Sequence, residues 1–368
     1  MQSSQAGPRS GKTDANVQSI QIMRAIAAVL VVLLHISTKW GQFGNGKPDG
    51  FIVGASGVDL FFIISGYIMC FSSDGRQLNF NRFMLLRIRR IMPFYWLTTT
   101  IALAVFLYNP KMVNSSGGET SIWASYVLFP NGKKFLNGNG WTLSFEFFFY
   151  LIFAIFIYKG TDKAMRFSSI ILLLLTGLGF FFMHDGFALN FLTNNLYFEF
   201  VLGMACFYWF NRKGAQFGAG YSIALCVLGT LVLAAEQFAH IPHQEEWRGF
   251  LWGIPMLFIF AGLLGLEDPI RRASSGLKTL FLGVGDSSYS LYLIHPFVLS
   301  GLARLLQHFN AASNLYLFTA MLLIPTVIAG HLAYLYIERP LTAFAKKVFA
   351  PSRRELRTDA SSADAINH

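Results

Sequence analysis

Residues 18–37 read QSIQIMRAIAAVLVVLLHIS, in which Arg24 and His35 are the only ionisable side chains. About 20 helical residues cross a hydrocarbon core of roughly 30 Å, so this stretch predicts a membrane-spanning helix. Arg24 and His35 are eleven positions apart, so both project from one helix face, about 16 Å apart along the axis. An ionisable group in lipid costs several kcal/mol unless it faces protein or water. The stretch therefore predicts a helix bundle with a polar interior.

The whole chain shares this apolar character. Of its 368 residues, 54% are hydrophobic and 13% are charged, about half the charged share of a soluble domain. A sliding window of about 19 residues finds ten candidate spans. They cover residues 18–37, 51–72, 91–109, 141–158, 167–184, 190–210, 217–238, 248–266, 281–305 and 315–338. We therefore predict an all-α, polytopic transmembrane bundle of about ten spans.

The predicted spans divide the chain into three parts. Residues 1–17 form a polar cytoplasmic segment, residues 18–345 the transmembrane domain, and residues 346–368 a disordered cytoplasmic tail. We expect residues 110–140 to form a long external excursion, because their apolar part, 121–130, is too short to span. No removable signal peptide is expected, because no small-residue cleavage site follows the first apolar run.

The basic residues predict the orientation of the bundle. Of 29 Lys and Arg, 21 lie in segments on the side of the two termini, 6 lie on the opposite side and 2 lie within spans. The positive-inside rule then places both termini in the cytoplasm. The net charge of +10 is explained by this asymmetry, so no nucleic-acid partner is expected. The three cysteines lie in apolar stretches without a CxxC pair, so neither a disulfide nor a metal site is expected.

The second span opens with GASGVDLFF at residues 54–62, which contains one carboxylate, Asp59. His35 ends its own span on the same side of the membrane, so a contact between Asp59 and His35 is feasible. A carboxylate there would fix the imidazole tautomer and raise its basicity, as an orienting acid does in a catalytic triad. Two structural alternatives stay open. In the first, Asp59 only caps the start of its helix. In the second, Arg24 extends its guanidinium to the cytoplasmic end of its span and His35 is a hydrogen-bonded structural residue.

Arginines concentrate in residues 81–93, NRFMLLRIRRIMP, which we expect to form a cytoplasmic loop. Arg87 and Arg90 are three positions apart, on one face of any helix that forms there. Guanidinium groups bind phosphate oxygens in bidentate fashion, so this set is suited to a phosphate ligand. The alternative is an ordinary basic anchor on the cytoplasmic side of the membrane.

Three later segments also carry ionisable residues. WTLSFE at residues 141–146 places Glu146 about one turn inside its span, where a carboxylate needs a partner or a function. SYSLYLIHP at residues 288–296 places His295 in mid-span. The last span ends at Glu338, which we expect to mark a helix terminus.

Together these segments resemble the acyltransferase-3 family of membrane-bound acyltransferases, especially the members that O-acetylate bacterial exopolysaccharides and O-antigens. The resemblance runs from about residue 18 to 345. Its motifs are Arg-x10-His (Arg24 and His35), GVDLFFIISGY at 57–67, RxxR before proline (Arg87, Arg90 and Pro93), WTLSFE at 141–146, SYSLYLIHP at 288–296 and ERP at 338–340. Each motif alone is weak, but six in order are specific.

The resemblance implies transfer of an acyl group, usually acetyl, from cytoplasmic acyl-CoA to a carbohydrate hydroxyl at the bacterial inner membrane. The candidate residues are then the catalytic His35, Asp59 and Glu146 and the donor-binding Arg24, Arg87 and Arg90. The expected partners are acetyl-CoA or another acyl-CoA, membrane lipid, and a carbohydrate, either a polysaccharide or a lipid-linked repeat unit. Some family members carry an extra esterase-like domain, and we expect this chain to act without one.

Several alternatives remain open from the sequence. His35 would act either as a general base on the hydroxyl or as a covalent acyl carrier. Buried Arg, Asp, Glu and His would also suit a transporter or flippase of a lipid-linked sugar, and a non-catalytic scaffold in polysaccharide export is a third possibility. The acyl group, the acceptor sugar and the oligomeric state have no linear signature.

Overall fold

The computed structural model describes residues 17–43, 50–114, 117–182, 186–239, 247–308 and 314–349. Its helices are α1 (Gln18–Phe43), α2 (Ser56–Ser73), α3 (Phe80–Tyr108), α4 (Pro110–Val113), α5 (Ile122–Val127), α6 (Gly140–Ile157), α7 (Thr161–Phe182), α8 (Phe187–Leu192), α9 (Tyr197–Phe207), α10 (Ala219–Ala239), α11 (Arg248–Leu251), α12 (Gly253–Gly265), α13 (Glu267–Arg272), α14 (Gly276–Asp286), α15 (Ser288–His308), α16 (Leu315–Ala333) and α17 (Arg339–Val348).

Within these ranges, nine helices are long and apolar enough to cross a membrane, and there is no strand beyond one isolated bridge between Thr120 and Lys134. The predicted fold class, an all-α multi-pass bundle, is confirmed. The predicted polar segment, 1–17, lies outside the described residues except for Val17. Of the predicted disordered tail, 346–368, the structure describes residues 346–349, and 346–348 are the helical end of α17.

Nine of the ten predicted spans each overlap a described helix that is long and apolar enough to cross a membrane, whereas the sixth, 190–210, is broken. α8 ends at Leu192, and α9 begins only at Tyr197. Between them the Asn194 side chain accepts a hydrogen bond from the backbone N–H of Leu196 at 3.0 Å. Such local bonds from Asn compete with helical ones. α9 has 11 residues and continues into a π-helical turn, Tyr208–Arg212, so this helical segment rises about 24 Å and is shorter than the other spans.

The arginine-rich segment is helical and not a loop as predicted. α3 begins at Phe80 and continues through Pro93 to Tyr108. Asn79 caps its start by accepting a hydrogen bond from the backbone N–H of Arg82 at 2.9 Å. This cap moves the helix start about ten residues ahead of the apolar run, because an Asn cap satisfies an otherwise unpaired N–H.

The end of the last span also differs from the prediction. A π-helical turn, Tyr334–Glu338, joins α16 to α17, so Glu338 lies inside a continuous helical segment and not at its terminus. Pro340 is tolerated because it occupies the first turn of α17. π-helical turns are rare and recur at functional sites. The ninth predicted span is divided at Ser287 into α14 and α15.

α2 is the most enclosed of the spans, with 83% of its apolar window buried against 22% for α10. It packs against α9 through glycines: a Cβ on Gly203 would lie 2.0 Å from the Ile63 carbonyl oxygen, and one on Gly66 would lie 2.1 Å from that of Phe200. The Phe200 ring then contacts Phe149 of α6, with ring centroids 4.5 Å apart. Small residues allow such close backbone approach between helices in lipid.

α1 contacts α2, α14, α15 and α16. Its first turn is fixed by Glu267 of α13, whose two carboxylate oxygens accept hydrogen bonds from the backbone N–H groups of Gln18 at 3.1 Å and Ser19 at 2.8 Å. A carboxylate at a helix N-terminus also interacts favourably with the helix dipole. Burial raises the pKa of Glu267, but these bonds and that from Arg271 outweigh it, so the pKa lies below its usual value.

We predict that Gly203→Ala destabilises the bundle by about 1–3 kcal/mol or more, because the added methyl group overlaps the α2 backbone. Thermal unfolding in detergent measures the effect. Gly177→Ala on α7 is the matched control, because nothing lies within 4 Å of a Cβ there. Equal melting temperatures for the two variants would contradict the proposed close contact between α2 and α9.

We also predict an acid-sensitive contribution from Glu267. Since folding lowers its pKa, its carboxylate stabilises the fold above the unfolded pKa of about 4.3 and loses that contribution as the pH falls through the folded value. Melting temperatures between pH 7 and pH 3 should therefore fall less steeply for Glu267→Gln than for the unaltered protein. Asp268→Asn, at an exposed neighbour, should leave the profile unchanged.

Candidate active site

A cavity that is open to solvent lies between α1, α2, α3, α6, α15 and the π-helical turn. On α2 its lining extends from Val58 to Met69, which are eleven positions or about 16 Å apart along the axis. The cavity has two ends. The end near Met69 is lined by Arg87 and Arg90 and is called the arginine end below. The other, lined by Val58 and Tyr292, is called the tyrosine end.

The three arginines predicted to bind a donor all line this cavity, although they come from two helices. Arg24 of α1 donates from Nε to the Ser288 hydroxyl of α15 at 3.1 Å. Arg87 of α3 is 8% exposed, and its guanidinium lies 5.5 Å from the Phe83 ring centroid. Arg90 lies one turn further along α3. The arrangement concentrates positive charge at one end of an otherwise largely apolar space, which is suited to an anionic group.

Glu146 lines the same cavity from α6. Its Oε1 accepts hydrogen bonds from the Ser65 hydroxyl at 2.8 Å and from the Tyr150 hydroxyl. Ser65 and Tyr150 are themselves 3.3 Å apart. The carboxylate predicted to need a partner therefore has two, one on α2 and one on its own helix. This network gives the cavity a polar wall.

A second cavity carboxylate, Glu338, was not among the predicted site residues. The π-helical turn directs it into the cavity, where its Oε2 accepts a hydrogen bond from Ser290 at 2.5 Å. Its charge acts on Arg24 and Arg90. In the sequence, Glu338 is a carboxylate at the end of an apolar run, and this position is interpreted as a helix terminus and not as part of a site.

His35 lies beyond the tyrosine end and does not line the cavity. Its neighbour is His295 of α15, with ring centroids 4.9 Å apart. The His295 ring lies 6.0 Å from that of Tyr292, which does line the cavity. Arg24 pairs with Ser288 and His35 with His295, so α1 and α15 run in the same direction. The sequence places His295 in mid-span but indicates no role for it.

Tyr292 is held from α6 and from the segment just before it. Its hydroxyl is hydrogen-bonded to Thr142 at 2.8 Å, and its backbone carbonyl accepts a hydrogen bond from the Asn139 amide. Asn137 donates to Thr98 of α3 at 3.1 Å, which fixes the same segment to a third helix. The predicted excursion at residues 110–140 thus ends against the candidate site.

The neighbour of His35 is His295, and Asp59 has another partner, so the contact between Asp59 and His35 considered from the sequence is replaced by two others. The carboxylate is fully buried and forms an ion pair with Arg248 at 3.1 Å. The Arg248 guanidinium lies 5.0 Å from the Trp252 ring centroid and 5.7 Å from that of Trp141. Buried Glu199 adjoins Asp59. A buried carboxylate that is charged is stabilised by a cation, and Arg248 provides it here.

Within the described ranges, no three His, Cys, Asp or Glu side chains converge as a metal site requires. The arrangement instead combines an arginine cluster, hydrogen-bonded carboxylates and a histidine pair. These groups can bind an anion, hold polar ligands and move a proton.

The chain belongs to the acyltransferase-3 family, described as an acyltransferase domain, which matches residues 17–334. The resemblance expected from the motifs is confirmed. The chain is therefore a multi-pass membrane protein of an acyltransferase family. No solved structure matches it.

Its relatives include proteins named for polysaccharide modification. The chain is 30% identical to the exopolysaccharide production protein ExoZ of Rhizobium meliloti, over 84% of this chain and 94% of that protein. It is 24% identical to the peptidoglycan O-acetyltransferase OatA of Listeria monocytogenes and 25% identical to the putative peptidoglycan O-acetyltransferase YrhL of Bacillus subtilis. These matches cover 88% and 91% of this chain but only 56% and 57% of those proteins.

We predict that Tyr150→Phe destabilises the protein by about 1–3 kcal/mol, because Glu146 loses a donor inside the bundle and its carboxylate is left partly unsatisfied. Thermal unfolding in detergent tests this. Tyr158→Phe is the matched control, since Tyr158 is 65% exposed at the end of the same helix. An unchanged melting temperature for Tyr150→Phe would show that Ser65 alone satisfies Glu146.

Proposed function

We propose that this chain transfers an acyl group, most often acetyl, from cytoplasmic acyl-CoA to a hydroxyl of a cell-surface or exported carbohydrate. The observation that supports this best is the single cavity with Arg24, Arg87 and Arg90 at one end and Tyr292, beside the histidine pair, at the other. Family membership supplies the reaction class. The names of the relatives support a carbohydrate acceptor.

The donor would bind with its phosphates at the arginine end. The cavity holds three arginines and two carboxylates, Glu146 and Glu338, so it has an excess of positive charge. Coenzyme A is a polyanion whose pantetheine arm carries no charge. That arm would lie along the apolar lining of Ile68, Met69 and Ile91 and bring the thioester toward Tyr292.

His35 would serve the transfer itself. As a general base, it takes the proton of the acceptor hydroxyl while the oxygen bonds to the acyl carbon, and it returns the proton to the thiolate when the C–S bond breaks. As a covalent carrier, it holds the acyl group between donor and acceptor. Both routes give an ester and a free thiol. Asp59 would act on neither, because Arg248 occupies its carboxylate.

The sidedness follows from the positive-inside rule. Arg87 and Arg90 belong to one of the segments that together contain 21 of the 29 basic residues, so the arginine end would face the cytoplasm of a bacterial inner membrane, the side predicted for the termini. His35 would then lie nearer the external side, where an exported carbohydrate is available. The acyl group would cross most of the hydrocarbon core along the cavity.

The experiment is an acyl-transfer assay with the purified full-length protein in nanodiscs. Labelled acetyl-CoA is the donor, and polysaccharide or lipid-linked saccharide from cells lacking the gene is the acceptor. We expect label in the carbohydrate with the unaltered protein and a loss of about 10²-fold or more in kcat with His35→Gln. Arg87→Gln should raise the KM for acetyl-CoA about tenfold or more, because a charge-assisted phosphate contact is lost.

Arg82→Gln is the matched control, since Arg82 is exposed on the same helix and outside the cavity. It should leave KM and kcat within about twofold. Full activity of His35→Gln would reject His35 as the reacting group. Transport of saccharide without consumption of acetyl-CoA would instead favour the flippase alternative.

A further inference from the structure

His295 has one ring nitrogen whose protonation the structure defines. Its Nδ1 lies 3.2 Å from the backbone carbonyl oxygen of Leu291. A carbonyl can only accept, so Nδ1 must carry the hydrogen in this contact. In the neutral ring, Nε2 then carries an unshared electron pair.

That electron pair has no donor in the part of the chain that the structure describes, although His295 is fully buried. The ring beside it is His35, 4.9 Å away between centroids. Every protonation state of His35 has at least one N–H, and among the described residues neither of its nitrogens makes a hydrogen bond. A buried acceptor without a donor therefore adjoins a donor without an acceptor. Leaving the buried Nε2 of His295 unsatisfied costs about 1–3 kcal/mol.

We propose that His295 is the positioning residue of His35: its Nε2 accepts the N–H of His35 and so leaves the other nitrogen of His35 unprotonated for the reacting groups. This inference rests on the proposed function, in which His35 is the reacting histidine. Active-site hydrogen bonds are often long in the unliganded protein and shorten when substrate binds. The contact between the rings is the resting form of this bond.

A neutral orienting group suits this depth in the membrane. A carboxylate in the place of His295 would be a buried charge throughout the cycle, with a desolvation cost of several kcal/mol. With His295 the pair is uncharged until His35 takes the hydroxyl proton. The new imidazolium still donates its original N–H to His295, and it gives the proton taken from the hydroxyl to the departing thiolate. No proton is left over at the end of the cycle.

Two substitutions of His295 separate this role from a structural one. His295→Asn keeps a donor near the position of Nδ1, for the Leu291 carbonyl, but offers nothing at the position of Nε2. His295→Gln offers an acceptor at the position of Nε2 and loses the bond to Leu291. A purely structural role predicts that Asn is tolerated better than Gln, whereas the positioning role predicts the reverse.

We measure kcat and KM for acetyl-CoA with the full-length protein in nanodiscs. His295→Gln should keep kcat within about tenfold, and His295→Asn should lower it about 10²-fold with KM unchanged. His308→Gln, at the exposed end of the same helix, should have no effect. The proposal is overturned if the kcat of His295→Asn equals or exceeds that of His295→Gln.

A double-substitution cycle tests the coupling directly and remains informative if one variant is poorly stable. In a His35→Gln background, His295→Asn should cause no further loss of the residual rate, because His295 acts only through His35. Losses that multiply would show independent action and overturn the proposal. If His35→Gln alone is fully active, the catalytic role assigned to His35 is refuted. If His35→Gln is inactive and His295→Asn is fully active, only the positioning role of His295 is refuted.

Discussion

The constraint on which this structure depends is that the hydrocarbon core offers no water to a charged or polar side chain. Each ionisable group in a span must therefore find its partner on another helix or at the bundle interior. Arg24 binds Ser288, Asp59 binds Arg248, and Glu146 binds Ser65. These bonds join residues 264, 189 and 81 positions apart, so they determine which helices become neighbours as well as satisfying single charges.

The Asp59 cluster and the cavity are separate, yet they share helices. Asp59 holds Arg248, and Arg248 lies over Trp141 at the start of α6. The next residue, Thr142, is bonded to the hydroxyl of Tyr292 at the tyrosine end of the cavity. The buried ion pair therefore helps to fix the α6 turn that positions Tyr292. This gives Asp59 a structural explanation that does not require contact with His35.

Hydropathy and the arginine motifs were sufficient to predict the class of fold, and the three arginines were predicted to act together before their geometry was known. The period of the first span placed Arg24 and His35 on one face, since a helix repeats its face every 3.6 residues. Partner choice was not predictable in the same way. Nothing local distinguishes His35 from Arg248 as the partner of Asp59, because the choice depends on packing across 189 positions. Glu338 was missed because a π-helical turn redirects it, and hydropathy does not detect such a turn.

On the proposed function, the distance between the arginines and the histidine pair has a physical origin. The phosphates of the donor carry charges that would cost many kcal/mol at mid-membrane, so they must stay at the arginine end. Only the uncharged arm and the acyl group can enter the apolar part of the cavity. The reacting histidine must then lie as far along the cavity as that arm reaches, and α1 places His35 about 16 Å beyond Arg24. A base at that depth is least costly when its orienting group is neutral. His295, unlike Asp59, satisfies that requirement.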